Sequence, residues 1–117
     1  MAAPKTRARR KAPAQQELVY RALADDTRRQ ILALLARGSR PAGEIASEFS
    51  RISRPAVSKH LALLREAGLV ADRAAGRGRV YALELAPLAA VTAFVAQLEA
   101  GAAPDALRRQ PGAVGGG

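Results

Sequence analysis

Arg54, Ser58 and Lys59 stand close together in "SRPAVSKHLALLREAGLV" (residues 53–70), and they carry hydrogen-bond donors without a set of acids and bases for bond-breaking chemistry. At about 100° per residue, Val57, Leu61 and Leu64 make one side of a helix; Pro55, Ser58, Lys59, Ala62 and Glu66 make the other, with Arg54 at the exposed leading end. Arginine and lysine donate to guanine O6 and N7, a serine hydroxyl serves a base edge or a phosphate, and alanine permits close approach. Arg54, Ser58, Lys59 and Ala62 are therefore the candidates to face bases. The competing reading is an ordinary solvated helix face.

Basic residues concentrate around this helix. Between residues 51 and 79 stand Arg51, Arg54, Lys59, Arg65, Arg73, Arg77 and Arg79 against Glu66 and Asp72, a surplus of five positive charges. The whole chain has 19 Lys and Arg, 10 Asp and Glu and a formal charge of +9, which attracts polyanions such as DNA, RNA or an anionic membrane. A genome biased toward arginine and alanine gives the same total, so position carries more meaning than the sum. Arg40, Arg51, Ser53, Arg73, Arg77 and Arg79 are candidates for backbone contacts, and the helix start after Ser53 offers unpaired N–H groups to a phosphate.

Other chemistries are poorly provided for. The chain has no cysteine, which removes disulfides, thiol redox sensing and thiolate metal sites. His60, the single histidine, borders the apolar stripe and reads as a packing residue at least as well as a DNA contact; alone it does not make a tetrahedral metal site. No metal and no cofactor are expected. Asp25 and Asp26 are neighbours at a helix start and act as caps, not as a facing carboxylate pair. No serine sits in a glycine-rich nucleophile turn, and "AAGRG" lacks the spacing, lysine and following helix of a phosphate loop. The chain does not read as an enzyme. Nor does any run approach the roughly 18 apolar residues of a membrane span, and the first residues lack a secretory apolar segment, so a cytoplasmic protein is expected.

The elements that must position these residues follow from periodicity. "QQELVYRALAD" places Leu18, Val19, Ala22 and Leu23 at helical spacing, giving a first helix that ends near Ala24. In "DDTRRQILALLARG", Asp25 or Asp26 caps a second helix whose stripe is Ile31, Leu34 and Leu35, with Arg28 and Arg29 pointing to solvent or a partner and Gly38 ending it. "SRPAGEIASEF" predicts a short third helix capped by Ser39 or Arg40, with Pro41 in its first turn and Ile45, Ala46 and Phe49 turned inward. The fourth helix begins at the Ser53 cap, with Pro55 in its first turn and Ile52 stapled to Val57, and stops at Gly68. Beyond it, "LVADR" and "RVYALEL" predict a hairpin across "AAGRG", with Arg73, Arg77 and Arg79 around the tip. The expected fold is mostly α with a small β-hairpin wing: a winged helix-turn-helix of about five helices and two to three short strands.

Residues 1–14 carry Lys5, Arg7, Arg9, Arg10 and Lys11 without periodicity and are expected to form a disordered basic arm; residues 101–117, rich in glycine, alanine and proline, are expected to form a disordered tail. The domain is then residues 15–100. Its last helix, "PLAAVTAFVAQLEA", presents Leu88, Val91, Phe94, Val95 and Leu98. Together with Leu18, Val19 and Leu23 this stripe is expected to form a homodimer interface, because a helix facing DNA cannot also cover it. Such a dimer sets two fourth helices roughly 34 Å apart and requires an inverted-repeat site.

The segments "LADDTRRQIL", "SRPAVSKHLALLREAGLV" and "GRGRVYAL" resemble those of the ArsR-type winged helix-turn-helix transcriptional repressors of bacteria, over residues 17 to about 98. The resemblance implies a homodimer, joined through its first and last helices, that binds double-stranded DNA at an operator and blocks transcription. It places Ser58 and Lys59 at base-facing positions, with Lys59 where a histidine is frequent, and Gly76 and Arg77 at the wing tip. "AGEIASEF" and "PLAAVTAFVAQLEA" lack the cysteine, or the histidine and carboxylate set, of metal-sensing members, so the chain looks most like the metal-independent, self-regulating branch. The link "SRIS" is about one residue longer than usual. Two other readings remain open: an architectural nucleic-acid binder without sequence preference that uses the arm and wing, and a protein-interaction module built on the last helix. An effector is not identifiable from these residues.

Overall fold

A computed structural model describes residues 14–102. Five α-helices and a three-stranded antiparallel sheet follow the order α1 (Gln15–Leu23), α2 (Asp26–Leu35), β1 (Arg40–Pro41), α3 (Ala42–Glu48), α4 (Arg54–Glu66), β2 (Val70–Ala75), β3 (Gly78–Leu83), a 3₁₀ turn (Ala86–Leu88) and α5 (Ala89–Gly101). The fold class is the one the periodicity requires. The proposed arm lies almost wholly outside the described residues, as does the tail from residue 103; Gly101, placed in the tail by composition, is the last residue of α5.

The core forms where the apolar sides of the first four helices meet the root of the hairpin. Ile31, Ile45, Leu64 and Leu69 are fully enclosed, with Val57, Leu61, Leu35, Ala67 and Val70 around them. The buried stripe of α2 is Ile31, Leu32 and Leu35, and Leu34 is only half-buried. Val19, expected on the dimer face, is 1% exposed and belongs to this core instead. The reason is helical geometry: Val19 and Ala22, three apart, share the side of α1 that meets the core. Leu18, Leu23, Leu88 and Val91 are also partly committed to their own subunit.

A helix stop and a hairpin turn explain two of the three glycines with positive φ among the described residues. After α4, Leu69 N–H donates to Leu64 O and Gly68 N–H to Arg65 O, the paired bonds of a left-handed helix stop. Gly68 has φ +80, and a Cβ there would meet Pro87 Cγ at 3.3 Å, so both torsion and space select glycine. At the hairpin, Gly76 has φ +59 and Arg77 is not in the positive region, the pattern of a two-residue turn with glycine first; Gly78 is an ordinary strand residue.

Two details depart from expectation. Arg40 and Pro41 do not open α3 but pair with Tyr81 and Val80 as an edge strand, and Pro41 becomes the cap of α3. An edge tolerates proline because the missing N–H is not needed by a further strand. Arg28 and Arg29, expected to point to solvent or a partner, fold back onto the end of α1: Arg28 donates from Nε to Ala22 O and from Nη2 to Arg21 O, both at 2.9 Å, and Arg29 donates from Nη1 to Leu23 O at 2.6 Å. Carbonyls at a helix end lack partners within the helix, and cations satisfy them well. The tight α1–α2 corner is built on these bonds.

Asp25 caps α2 by accepting from Arg28 N–H at 3.0 Å. That bond, aided by the Arg28 charge against some desolvation, holds its carboxyl below the usual carboxylate value. A depressed folded-state value means stabilisation above the unfolded value near ~3.9 and loss as pH falls through the folded one. Replacing Asp25→Ala is expected to cost about 1 kcal/mol at neutral pH. In urea melts from pH 7 to 3 the gap between wild type and variant should narrow below about pH 4; a gap independent of pH contradicts the cap.

Candidate nucleic-acid interface

The start of α4 is fixed by its own sequence. Ser53 has extended torsions and its Oγ accepts from Ala56 N–H at 3.2 Å, while Pro55 occupies the first turn. Ser53 Oγ, expected to touch a DNA backbone, is thus engaged as the cap, which leaves its hydroxyl hydrogen and one lone pair for outside partners. Ser58, Lys59 and Ala62 are exposed on the side of α4 away from Val57, Leu61 and Leu64, and Arg54 is exposed at the leading end of the helix, ahead of that stripe. Arg51, in the turn before α4, is exposed, and Arg40, in β1, is half-buried.

His60 lies on the flank of α4 and is half-buried. Arg28 Nη1 stands 3.3 Å from His60 Nδ1, and Asp25 Oδ2 is 3.9 Å from the same nitrogen. With Arg28 donating, Nδ1 accepts and the ring proton sits on Nε2. The guanidinium that closes the α1–α2 corner therefore also reaches α4. Of the two roles open to His60 in the sequence, packing and DNA contact, this geometry corresponds to packing.

The wing carries three arginines in unlike situations. Arg73 and Arg77 are exposed, Arg77 in the turn itself. Arg79, expected as a backbone contact, donates from Nε to Asp72 Oδ2 at 2.6 Å, and Arg65 at the end of α4 reaches the same carboxylate at 3.2 and 3.4 Å. Arg79 is therefore committed first to an ion pair within the fold. The Asp72 side chain is only 7% exposed. The Arg79 hydrogen bond, with Arg65 behind it and desolvation opposing, holds its carboxyl below the usual carboxylate value. Charge counting treats Asp72 merely as a deduction from the local surplus. The hairpin register gives the missing signal: Ala74 pairs with Arg79 and Asp72 with Tyr81, so Asp72 and Arg79 are diagonal neighbours on one sheet face.

Among the described residues, α5 buries none of its side chains. Phe94, Val95 and Leu98 are 46%, 45% and 56% exposed. The helix touches its own subunit through the Tyr20–Phe94 edge-to-face pair, with centroids 6.1 Å apart, and the Tyr20 hydroxyl donates to Ala90 O at 3.5 Å. Leu63 on α4 and Leu85 after β3 are also uncovered, and the apolar periodicity does not mark either one. Among the described residues no group of three or more His, Asp or Glu side chains is placed to hold a metal ion, and no helix is long and apolar enough to cross a membrane. The arrangement offers hydrogen-bond donors and positive charge on one surface and no assembled set of reacting groups.

A helix-turn-helix domain model matches residues 23–73. The chain is 51% identical over 72 residues to the HTH-type transcriptional regulator Rv2034 of Mycobacterium tuberculosis, covering 62% of this chain and 66% of that one. It is 43% identical over 65 residues to the transcriptional repressor SdpR of Bacillus subtilis, covering 56% and 71%. Among solved structures, the crystal structure of an ArsR family transcriptional regulator superposes with a TM-score of 0.69 at 35% identity, over 74% of this chain and 93% of that one. The matched segment thus spans about two thirds of the first relative and most of the solved structure. With the exposed α4 face and the wing beside it, these similarities show that the chain belongs to the ArsR/SmtB family of winged helix-turn-helix, DNA-binding transcriptional regulators.

Proposed function

We propose that this protein is a cytoplasmic, homodimeric repressor that binds an inverted-repeat operator and whose DNA binding does not depend on a metal. The observation that carries the reading is the uncovered polar side of α4, where Ser58, Lys59 and Ala62 stand exposed, with Arg54 exposed at its capped leading end. A helix of this width fits the major groove, and its first turns reach base edges. Arg51, Arg73 and Arg77 contact flanking phosphates and set the register; Arg40 and Ser53 contribute less, one half-buried and the other engaged as a cap. Repression is supported by the similarity to a transcriptional repressor. The uncovered Phe94, Val95 and Leu98 support a second copy as the cover of α5. Metal independence rests on the absence of cysteine and on the single histidine being engaged by Arg28.

The decisive experiment is competition between a duplex selected from a random pool by the protein and its scrambled counterpart. Arg54→Ala or Lys59→Ala should narrow the preference by about 1–3 kcal/mol. Arg77→Ala should weaken both duplexes alike and reduce the slope of log affinity against log salt by about one. Equal wild-type affinity for the two duplexes defeats sequence-specific repression and leaves the architectural reading. Light scattering of Leu98→Asp should give a monomer with much weaker operator binding; an unchanged dimer places the interface elsewhere. Zinc, cadmium and arsenite should leave the binding isotherm unmoved, and release of DNA by any of them refutes metal independence.

A further inference from the structure

We propose that Asp72 is a positioning residue for DNA recognition, tying the wing to the recognition helix so that both present their cations as one rigid surface. The inference rests on the DNA-binding reading above and concerns how the two elements are held.

Asp72 is the only acid between Val70 and Leu83, and its side chain is almost enclosed although it sits among cations meant for a polyanion. Two arginines close over it from different elements. Arg79 comes from β3 at 2.6 Å, and Arg65 comes from the last turn of α4 at 3.2 Å. Each arginine side chain is about half exposed, 55% for Arg65 and 51% for Arg79, so the carboxylate is the inner member of the joint. Strand alternation puts Asp72 on the same face of β2 as the buried Val70, the face that meets α4.

Leverage makes this joint matter. From Asp72 to the turn at Gly76 is four residues, about 13 Å of strand. A tilt of about 15° at Asp72 displaces the tip by about 3 Å, beyond the tolerance of a hydrogen bond. Hydrophobic contact at Val70 and Leu83 holds the root but is non-directional; the forked ion pair supplies direction. The sign of the effect separates positioning from plain charge. A carboxylate near DNA repels it, so removing one by charge alone strengthens binding to every duplex. Removing a positioning group weakens binding only where the wing must land in register.

The test uses the full-length protein, the duplex it selects from a random pool and a scrambled duplex of equal length. Asp72→Asn keeps the size of the side chain. It should raise scrambled-duplex affinity, lower selected-duplex affinity, and so reduce their ratio by about fivefold or more. Hydroxyl-radical protection should fade at the phosphates under the wing and persist under α4. Arg77→Ala should then cost little further in the Asp72→Asn background. Arg65→Gln opens the joint from α4 and decides the matter if Asp72→Asn melts at assay temperature. It should reduce the ratio similarly, and where both variants fold the double variant should be no worse than either single one. An unchanged ratio, with both affinities raised together, overturns the positioning role, as do additive losses in the double variant. Wild-type protein that fails to discriminate the duplexes overturns the DNA-recognition reading itself, and this inference with it.

Discussion

The rotation of α4 about its own axis decides which side chains can meet a partner, and that rotation is set from behind. Val57, Leu61 and Leu64 are all enclosed. Burying each contributes about 1.5–3 kcal/mol relative to exposure, far more than the solvated residues in front gain from any particular orientation. Ile31 and Ile45, on α2 and α3, meet them in the same core. Ser58 and Lys59 face outward because the opposite side of the helix has no choice, and Arg54 is exposed because it opens the helix ahead of the buried stripe. The exposed surface is thus a consequence of core packing, and substitutions on it can alter recognition without disturbing the fold.

Rotation alone does not fix where the helix points, and three further devices do so. Ser53 and Pro55 define its first turn, the Gly68 stop defines its last, and His60 meets the guanidinium of Arg28 on its flank. Arg28 is the busiest of these groups. One side chain closes the α1–α2 corner through two carbonyls and reaches α4 through a third partner. Loosening the corner therefore loosens the recognition helix. This gives the "DDTRR" segment a physical meaning that solvent-facing arginines would not have.

Much of this architecture was readable in the chain because local signals agree with burial. The Ser53 cap, the Val57/Leu61/Leu64 stripe, the Gly68 stop and the hairpin across Gly76 each follow from residue type and spacing within a few positions. What periodicity misread depends on contacts between distant segments. Val19 and Leu18 are neighbours on α1, and only the position of the other helices tells which is enclosed. The strand pairing of Arg40 and Pro41 needs β3, some forty residues later, to be in place. Position in the opening turns of α2 points Arg28 and Arg29 outward, and the local basic surplus points Arg79 outward, whereas their geometry is set by carbonyls and a carboxylate that neither signal locates. Exposure of the base-facing set agrees with its assignment, and contact with DNA is part of the proposed function.

The basic surplus around α4 is consequently less uniform than its size implies. Of the seven cations between residues 51 and 79, Arg65 and Arg79 share the Asp72 carboxylate, and among the described residues the other five make no ion pair within the chain. Those five divide by position into Arg54 and Lys59 on the helix and Arg51, Arg73 and Arg77 around it. Neutralising phosphates is a matter of how many cations arrive, whereas discriminating bases is a matter of where they arrive. An internal ion pair diverts two cations from the first task and, on the proposed reading, serves the second by holding the remaining ones in fixed relation. The uncovered side of α5 acts on the same problem at larger scale: a helix of thirteen residues is marginal on its own, and a second copy covering it would stabilise α5 while fixing the separation of two α4 surfaces.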